Sequence, residues 1–164
     1  MTIVTATSGD FETIRNIAYK TWPETYGKIL GSEQLAYMLS RIYTTAALQQ
    51  TITEKKHQYL LVKENDEYFG FASYQHGYLD LNVTRLHKLY LLPEAQGRGA
   101  GKLLIDEIET MARINHSEKV SLNVNRFNKA LSFYQKSGYT IVGEENIDIG
   151  NGYFMEDYKM EKIL

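Results

Sequence analysis

A glycine-rich segment that joins a predicted strand to a predicted helix constrains the fold of this 164-residue chain more than any other feature. The strand extends from Thr84 to Leu92, where β-branched, aromatic and aliphatic residues prevail, and Pro93 ends it because proline cannot donate to a strand ladder. From Gly101 onward, apolar residues recur at helical spacing. The connecting residues read QGRGAG and begin at Gln96. The predicted order is therefore strand, glycine loop and helix.

This order of elements suits the binding of a bulky anion. A helix N-terminus exposes unpaired N–H groups and the positive end of the helix dipole. Glycines let those N–H groups approach a phosphate without interference from a Cβ atom. The expected ligand is a phosphate or pyrophosphate, and the alternative is an ordinary glycine-rich turn that binds nothing.

Three well-known phosphate-binding loops do not match the segment. A P-loop would need glycine in place of Gln96 and serine or threonine in place of Leu103. The dinucleotide fingerprint and the kinase glycine loop would both need glycine in place of Lys102. The pattern Q/R-x-x-G-x-G/A does match, through Gln96, Gly99 and Gly101. In this stretch the chain resembles the acetyl-CoA pyrophosphate loop of the GNAT superfamily of N-acetyltransferases.

A second segment carries the same resemblance. After a short predicted strand, Val120 to Val124, the chain matches a downstream GNAT block of the form N-x-x-A-x-x-F/L-Y-x-K-x-G-F/Y. The matching residues are Ala130, Phe133, Tyr134, Lys136, Gly138 and Tyr139. The sequence departs from the block at Asn128, which stands one residue closer to Tyr134 than the family's asparagine.

Length and composition exclude several other classes of protein. The chain suits one domain, residues 1–164, and its net charge of −2 gives no basic field for nucleic acid. It has no cysteine, which excludes a disulfide framework, a thiol nucleophile and a cysteine-ligated zinc site. The histidines fall in no metal-ligand spacing, so no metal is expected. Without a signal peptide or an apolar run of membrane-spanning length, a cytoplasmic protein with no membrane contact is expected.

The remaining sequence predicts one strand, two or three helices, three strands, a helix, a strand, a helix and two strands. Polar or glycine-rich turns at residues 64–67 and 150–152 predict two hairpins. Trp22 and Pro23 predict an interruption of the first helix, because the residue before proline avoids helical geometry. The class is α/β, with a mixed, largely antiparallel central sheet flanked by helices. This order is also that of the GNAT fold, so the resemblance covers nearly the whole chain as a single domain.

The resemblance implies a site for acetyl-CoA, the co-substrate of GNAT enzymes. In that family a splayed strand pair holds acetyl-CoA, and main-chain groups before the glycine loop bind its pantetheine arm, here those of Leu89, Tyr90 and Leu91. Backbone N–H groups of the loop bind the pyrophosphate, which implicates Gln96, Gly97, Arg98, Gly99, Ala100, Gly101 and Lys102. Arg98 and Lys102 would add positive charge, with solvated surface side chains as the alternative. A cofactor contact is also implied for Asn128.

The resemblance implies proton-transfer roles for two side chains. Tyr134 stands where the family places its general acid, close to the CoA sulfur, and packing in the core is the alternative. His87 precedes Leu89 on the splayed strand, where some amine acetyltransferases of this family carry a histidine as the base. The unperturbed imidazole pKa near 6.5 suits that task. The alternative for His87 is a strand histidine without a role in proton transfer.

The acceptor is expected to be a small-molecule or peptide amine. Trp22, Tyr26 and Tyr74 could form an aromatic wall for it, although such residues more often pack in a core. The implied function is acetyl transfer from acetyl-CoA to a primary amine by direct attack, and the polyamine acetyltransferases are one branch that the layout resembles. The alternative is an acetyl-CoA-binding sensor or interaction module without turnover. A homodimer through the C-terminal strands is the alternative to their pairing within one chain.

Overall fold

A mixed sheet of seven strands, in the order β1-β2-β3-β4-β5-β7-β6, runs through the computed structural model, which describes residues 1–164. The strands are β1 (Thr2–Thr5), β2 (Gln58–Glu64), β3 (Glu67–Gln75), β4 (Val83–Leu91), β5 (Lys119–Asn125), β6 (Thr140–Gly150) and β7 (Tyr153–Ile163). The helices are α1 (Phe11–Tyr26), α2 (Ser32–Ile42), α3 (Thr45–Thr53), α4 (Ala100–Ile114) and α5 (Ala130–Lys136). The predicted order of strands and helices is confirmed.

Neighbouring strands pair antiparallel throughout the sheet, except for β4 and β5, which are parallel. Both predicted hairpins are present, β2 with β3 and β6 with β7. In the second turn, Gly150, Asn151 and Gly152 have φ angles of 88°, 54° and 76°, the left-handed region that glycine and asparagine tolerate best. The predicted class, α/β with a largely antiparallel sheet, is confirmed.

The parallel pair β4–β5 is joined over only part of its length. Residues 83–86 of β4 pair with residues 119–122 of β5. Beyond Leu86, β4 continues to Leu91 while it pairs only with β3, and β5 continues to Asn125 while it pairs only with β7. The two strands therefore leave an opening in the middle of the sheet, and their facing main-chain groups are unpaired there.

Helices cover both faces of the sheet and create two apolar cores. The α4-side core contains Leu60, Val62 and most of the buried residues of α4, and Leu89 packs against it. The α1-side core contains Leu61 and the buried apolar residues of α1, α2 and α3, and Tyr90 packs against it. Adjacent strand residues thus point to opposite faces, as the two-residue period of a strand requires. None of the helices has the length and apolar character needed to span a bilayer.

Helix α1 continues through Pro23, although the sequence predicts an interruption there. The proline lies in the last turn of the helix, where the Gly27 N–H donates to the Pro23 carbonyl oxygen at 2.9 Å. Trp22 is 3% exposed, and its indole N–H donates to the Tyr43 hydroxyl at 3.1 Å. Burial and this hydrogen bond hold Trp22 in the helix, so tertiary packing overrides the local preference of a residue before proline.

The C-terminal strands pair with each other inside the chain. Their register extends from Thr140 opposite Glu161 to Gly150 opposite Tyr153, and β6 forms one edge of the sheet. Intramolecular pairing, the simpler of the two sequence-based expectations, is thus the arrangement present in the monomer. A homodimer formed through this edge stays a prediction.

Candidate active site

A cavity of about 1160 Å³ occupies the opening between β4 and β5. Its wall is formed by the unpaired ends of these strands, the glycine loop, α5 and residues of α1 and α2. Most residues that the sequence analysis singled out line it, namely Trp22, Tyr26, His87, Leu89, Tyr90, Leu91, Gln96, Gly97, Gly99, Ala100, Gly101, Lys102, Asn128 and Tyr134. The fold therefore brings the two motif segments and the first helix to one site.

The glycine loop presents free backbone donors to this cavity. Gly97 and Gly99 have φ angles of 73° and 82°, which residues with a Cβ atom rarely adopt. The first hydrogen bond of α4 joins the Leu103 N–H to the Gly99 carbonyl oxygen at 3.0 Å. Three helical N–H groups before it have no backbone acceptor, those of Ala100, Gly101 and Lys102. This donor set fits the pyrophosphate of a CoA molecule.

Gly101 also allows α5 to lie close to the start of α4. A Cβ atom at this position would lie 3.2 Å from Phe133 Cζ and 3.4 Å from Leu91 Cδ1. Phe133 precedes Tyr134 on α5. A larger residue in place of Gly101 would therefore push the helix that carries Tyr134 away from the glycine loop.

The two basic side chains of the loop have different surroundings. Lys102 lines the cavity and forms an ion pair with Asp106. Arg98 is not part of the cavity wall: its Nη2 atom lies 2.6 Å from Glu64 Oε2, and its guanidinium lies 5.6 Å from the centre of the Phe69 ring. This side chain ties the loop to the β2–β3 hairpin through an exposed ion pair, and the prediction that Arg98 adds charge at the phosphate site stays a prediction.

Tyr134 combines burial with a hydroxyl that has no hydrogen-bond partner within the chain. The side chain is 6% exposed and lines the cavity. Burial, followed by the nearby Tyr26, raises the pKa of Tyr134 above its ordinary value. The phenol is therefore protonated at neutral pH and can donate its proton to a group in the cavity.

His87 forms a β-bulge at the point where β4 leaves β5. Ser73 of β3 pairs with Lys88, whereas the next residue, Tyr74, pairs with Leu86, so His87 is the extra residue of β4. Leu86 is also the last residue of β4 that pairs with β5. Because a bulge bends its strand and increases the local twist, it favours the separation of β4 from β5.

The electrostatic surroundings keep the His87 ring neutral. Its Nε2 atom lies 3.0 Å from Gln75 Oε1, and because an amide oxygen only accepts, Nε2 carries the proton and Nδ1 is the acceptor. Burial, followed by the neighbouring His57 and Lys88, lowers the pKa of His87 to about 2. The ring is therefore neutral at pH 7, with a lone pair on Nδ1, and it is a weak base because its protonated form is strongly disfavoured.

Two of the three predicted aromatic residues contribute to the cavity wall. Tyr26 and Tyr90 place their hydroxyl oxygens 3.0 Å apart, and the Trp22 ring centre lies 4.9 Å from Tyr26 and 5.7 Å from Tyr90. Burial raises the pKa of Tyr26 to about 12, so it carries no charge at neutral pH. These aromatic rings form a wall on the side of the cavity that α1 covers.

Tyr74 does not belong to this wall. It is 2% exposed in the α4-side core, and its hydroxyl donates to Gln58 Oε1 at 3.0 Å. Along β3, Ala72 and Tyr74 face α4, while Phe71 faces α1. The predicted acceptor contact for Tyr74 is thus corrected, because the two-residue period of the strand places this ring on the opposite face of the sheet.

Asp157 is a cavity residue that the sequence analysis missed. It lies on β7 opposite Asn125, the last residue of β5, and it is 6% exposed. Its Oδ1 atom has no hydrogen-bond partner. Burial raises the pKa of Asp157 to about 6, although Asn123 and two arginines favour the ionised form. Strand periodicity places Asp157 on the same face as Met155, but only the pairing with β5 brings it to the opening.

Lys88 is a second missed residue. It is half-buried in the cavity wall, and none of the ion pairs of the protein includes it. Burial, followed by the positive charge of Lys55, lowers the pKa of Lys88 to about 8. A sequence signal was present, because Lys88 lies beside His87 in the strand that leads to the glycine loop.

Comparison with known proteins places this architecture among the acetyltransferases of the GNAT class. The sequence model described as acetyltransferase (GNAT) domain matches residues 28–162. The chain therefore belongs to this family and is an N-acetyltransferase enzyme, as the two sequence motifs predicted.

Similar proteins cover nearly the whole chain. An uncharacterised N-acetyltransferase of Mycobacterium bovis is 27% identical over 156 residues, which are 94% of this chain and 98% of that protein. A spermidine N(1)-acetyltransferase of Thermoplasma acidophilum is 27% identical over 152 residues, 90% of each chain. The crystal structure of the PaiA N-acetyltransferase of Thermoplasma acidophilum with coenzyme A matches with a TM-score of 0.82 at 26% identity, over 100% of both chains. The predicted GNAT fold is confirmed.

Proposed function

We propose that this protein transfers the acetyl group of acetyl-CoA to a primary amine, which belongs to a small amine, a polyamine, an amino acid or a peptide. The observation that carries the proposal is the opening between β4 and β5, because one cavity there reaches the free amides of the glycine loop, Tyr134 and the aromatic wall of α1. The amine attacks the thioester carbonyl directly. A thiol-bound enzyme intermediate is excluded because the chain has no cysteine.

The cofactor is held mainly by main-chain atoms in this proposal. The free N–H groups at the start of α4 bind the pyrophosphate, and the main-chain groups of residues 89–91 on the side that no longer pairs with β5 bind the pantetheine arm. Asn128 contributes through its side-chain NH₂, because its Oδ1 atom already accepts from the Ala130 N–H at 2.9 Å. Acetyl-CoA supplies the activated acetyl group once it is bound.

Tyr134 serves as the general acid. The leaving thiolate needs a proton, and a protonated phenol on α5 can supply it. Its raised pKa keeps the hydroxyl protonated, and the absence of an internal partner leaves this hydroxyl free to donate. The hydroxyls of Tyr26 and Tyr90 already form a hydrogen bond with each other, so they are less free than the Tyr134 hydroxyl to donate a proton.

The amine must lose a proton before or during the attack. A lysine-like amine has an ordinary pKa near 10.4, so roughly one molecule in two thousand is neutral at pH 7. His87 is one proposed acceptor of this proton, through its Nδ1 atom, although its low pKa makes it a weak base. Asp157 is the second and the favoured one, because a pKa of about 6 leaves it ionised at pH 7 yet still basic.

The first experiment follows the release of free CoA thiol with a thiol reagent, across a panel of polyamines, amino acids and short peptides. The protein itself adds no thiol background, since it has no cysteine. We expect CoA to be released only when one class of amine is present, and this result would identify the class of the acceptor at the same time. Saturable acetyl-CoA binding without release by any amine would overturn the transfer proposal in favour of an acetyl-CoA sensor.

A further inference from the structure

Lys88 lies on the acceptor side of the cavity, which we define as the side covered by α1, α2 and α3. Its strand neighbour Leu89 packs against the α4-side core, whereas Tyr90 packs against the α1-side core. Lys55 and His57, which follow α3, line the same cavity. Lys55 helps to lower the pKa of Lys88, and His57 helps to lower the pKa of the neighbouring His87. Lys88 is therefore remote from the phosphate-binding amides, which start α4 on the other face.

The positive charge of Lys88 has no counter-ion in the protein. Neither Lys88 nor Lys55 takes part in an ion pair. Lys55 is exposed at the rim of the cavity, and Lys88 is half-buried deeper in its wall. Burial of an unpaired charge is unfavourable, and an anion bound between the two side chains would offset the cost.

His57 provides a further unused polar group beside these lysines. It is 7% exposed, and its Nδ1 atom has no hydrogen-bond partner. Its ring stacks on His87 with centroids 3.9 Å apart. The acceptor side thus holds two cations without an ion-pair partner, beside a buried imidazole.

The charges of the whole cavity wall also favour an anionic group on the acceptor. This wall contains seven lysine or arginine residues, of which Lys102 pairs with Asp106 at the glycine loop, but only two carboxylates, Glu24 and Asp157. Glu24 is exposed, so Asp157 is the one buried carboxylate that can attract the ammonium group of an acceptor. A polycation without a negative group would meet an excess of positive charge in this cavity.

We propose that Lys88 and Lys55 form a subsite for an anionic group, a carboxylate or a phosphate, on the acceptor molecule. The acceptor is then an amine that also carries a negative charge, such as an amino acid or a phosphorylated amine. This inference rests on the proposed acetyl transfer, whose acceptor class it narrows. Lys88 acts as a specificity-determining residue that binds the acceptor and takes no part in proton transfer.

The kinetic test compares matched pairs of amines that differ only in the anionic group. Lysine is compared with cadaverine, its decarboxylated counterpart, and phosphoethanolamine with ethanolamine. We expect the wild type to favour the anionic member of one pair, and Lys88→Met to reduce that preference roughly 10- to 100-fold through the acceptor KM. The KM for acetyl-CoA should not change. The pair of amines whose preference falls in Lys88→Met shows whether the subsite binds a carboxylate or a phosphate.

Lys56→Met is the matched control. Lys56 adjoins Lys55 in the same turn but is exposed and lies outside the cavity wall, so this variant removes the same charge without touching the subsite. We expect its acceptor preference to equal that of the wild type. A wild type that favours cadaverine and ethanolamine, or a Lys88→Met variant that keeps the full preference, would overturn the proposal.

A binding test separates the subsite from the acetyl-transfer proposal. The protein is first saturated with CoA, so that the glycine loop is filled. Its melting temperature is then measured with added succinate or inorganic phosphate and compared with that in sodium chloride at equal ionic strength. We expect one of these anions to raise the melting temperature of the wild type and Lys56→Met but not of Lys88→Met. A shift without turnover of any amine would refute acetyl transfer and retain the anion subsite. The absence of a Lys88-dependent shift would refute the subsite even if amines are acetylated.

Discussion

His57 and His87 stack face to face, with ring centroids 3.9 Å apart and ring planes inclined by 12°. His57 precedes β2 and His87 belongs to β4, so the stack connects the strands on either side of β3. Burial, followed by the charges of Lys88 and Lys55, lowers the pKa of His57 to about 4. Both rings are neutral at pH 7, which makes the stack compatible with the two nearby lysines.

We expect His57→Phe to reduce the loss of stability in acid. A histidine whose pKa falls from 6.5 to about 4 on folding stabilises the native state above pH 6.5, and this contribution is lost as the pH falls towards 4. The stability of His57→Phe relative to the wild type should therefore rise, on the order of 1–2 kcal/mol, between pH 8 and pH 5. Urea unfolding at each pH measures the difference.

Asp157 does not disturb this comparison. Its pKa is raised on folding, so its protonation stabilises the native state as the pH falls through 6, but the effect is present in both proteins and cancels in the difference. His116→Asn, at an exposed histidine with a φ of 59° that asparagine tolerates, is the control. An equal pH dependence for His57→Phe and the wild type would contradict the expectation.

Gly99→Val should weaken acetyl-CoA binding by about tenfold or more, since the φ of 82° at this position strains any residue with a Cβ atom and moves the free amides of α4. Calorimetric titration with acetyl-CoA measures the change. Gly31→Ala is the matched control, because Gly31 has a φ of −65° and a Cβ atom added there would meet no other atom within 4 Å. Equal affinity of Gly99→Val and the wild type would refute the pyrophosphate assignment.

Tyr134→Phe should lower kcat by about 10² or more and leave acetyl-CoA binding nearly unchanged, because it removes the proton donor but keeps the ring in its packing. Steady-state thiol release and calorimetric titration give the two quantities. Tyr153→Phe, on the C-terminal hairpin outside the cavity wall, serves as the control. Full turnover by Tyr134→Phe would remove its role as the general acid.

Asp157→Asn should lower kcat by about 10² and abolish the acidic limb of the pH profile of kcat. In the wild type this limb should fall near pH 6, because protonation of Asp157 at about that pH removes the base. Glu145→Gln keeps this base and a side chain that can bond to the neighbouring Asn123. Because the charge of Glu145 helps to raise the pKa of Asp157, this variant should move the limb to lower pH without abolishing it.

His87→Gln distinguishes the two proposed bases. A base with a pKa of about 2 would place no limb near pH 6. A wild-type profile that is flat near pH 6, with a kcat that His87→Gln lowers and Asp157→Asn leaves intact, would assign the role to His87 instead.

Local patterns were sufficient to predict the order of the elements, the glycine loop and the segment around Tyr134, because spacing and glycine content specify these features directly. Long-range pairing was not accessible in the same way. Asp157 becomes a site residue only because β7 pairs with β5 beyond the point where β4 separates. Tyr74 was misplaced for a related reason, since its sheet face depends on how β3 pairs with distant strands, and the ion pair of Arg98 with Glu64 was equally out of reach of a local pattern.

The opening between β4 and β5 has a consequence for how the acceptor preference of such proteins can evolve. It is created where main-chain pairing stops, and the free amides of α4 are also main-chain groups. In the proposed function, a substitution at Lys88 can therefore alter the chemistry of the acceptor side while the main chain that holds the cofactor is unchanged. Donor binding through the main chain and acceptor choice through side chains would then be separate, so the amine could change during evolution without loss of the acetyl donor.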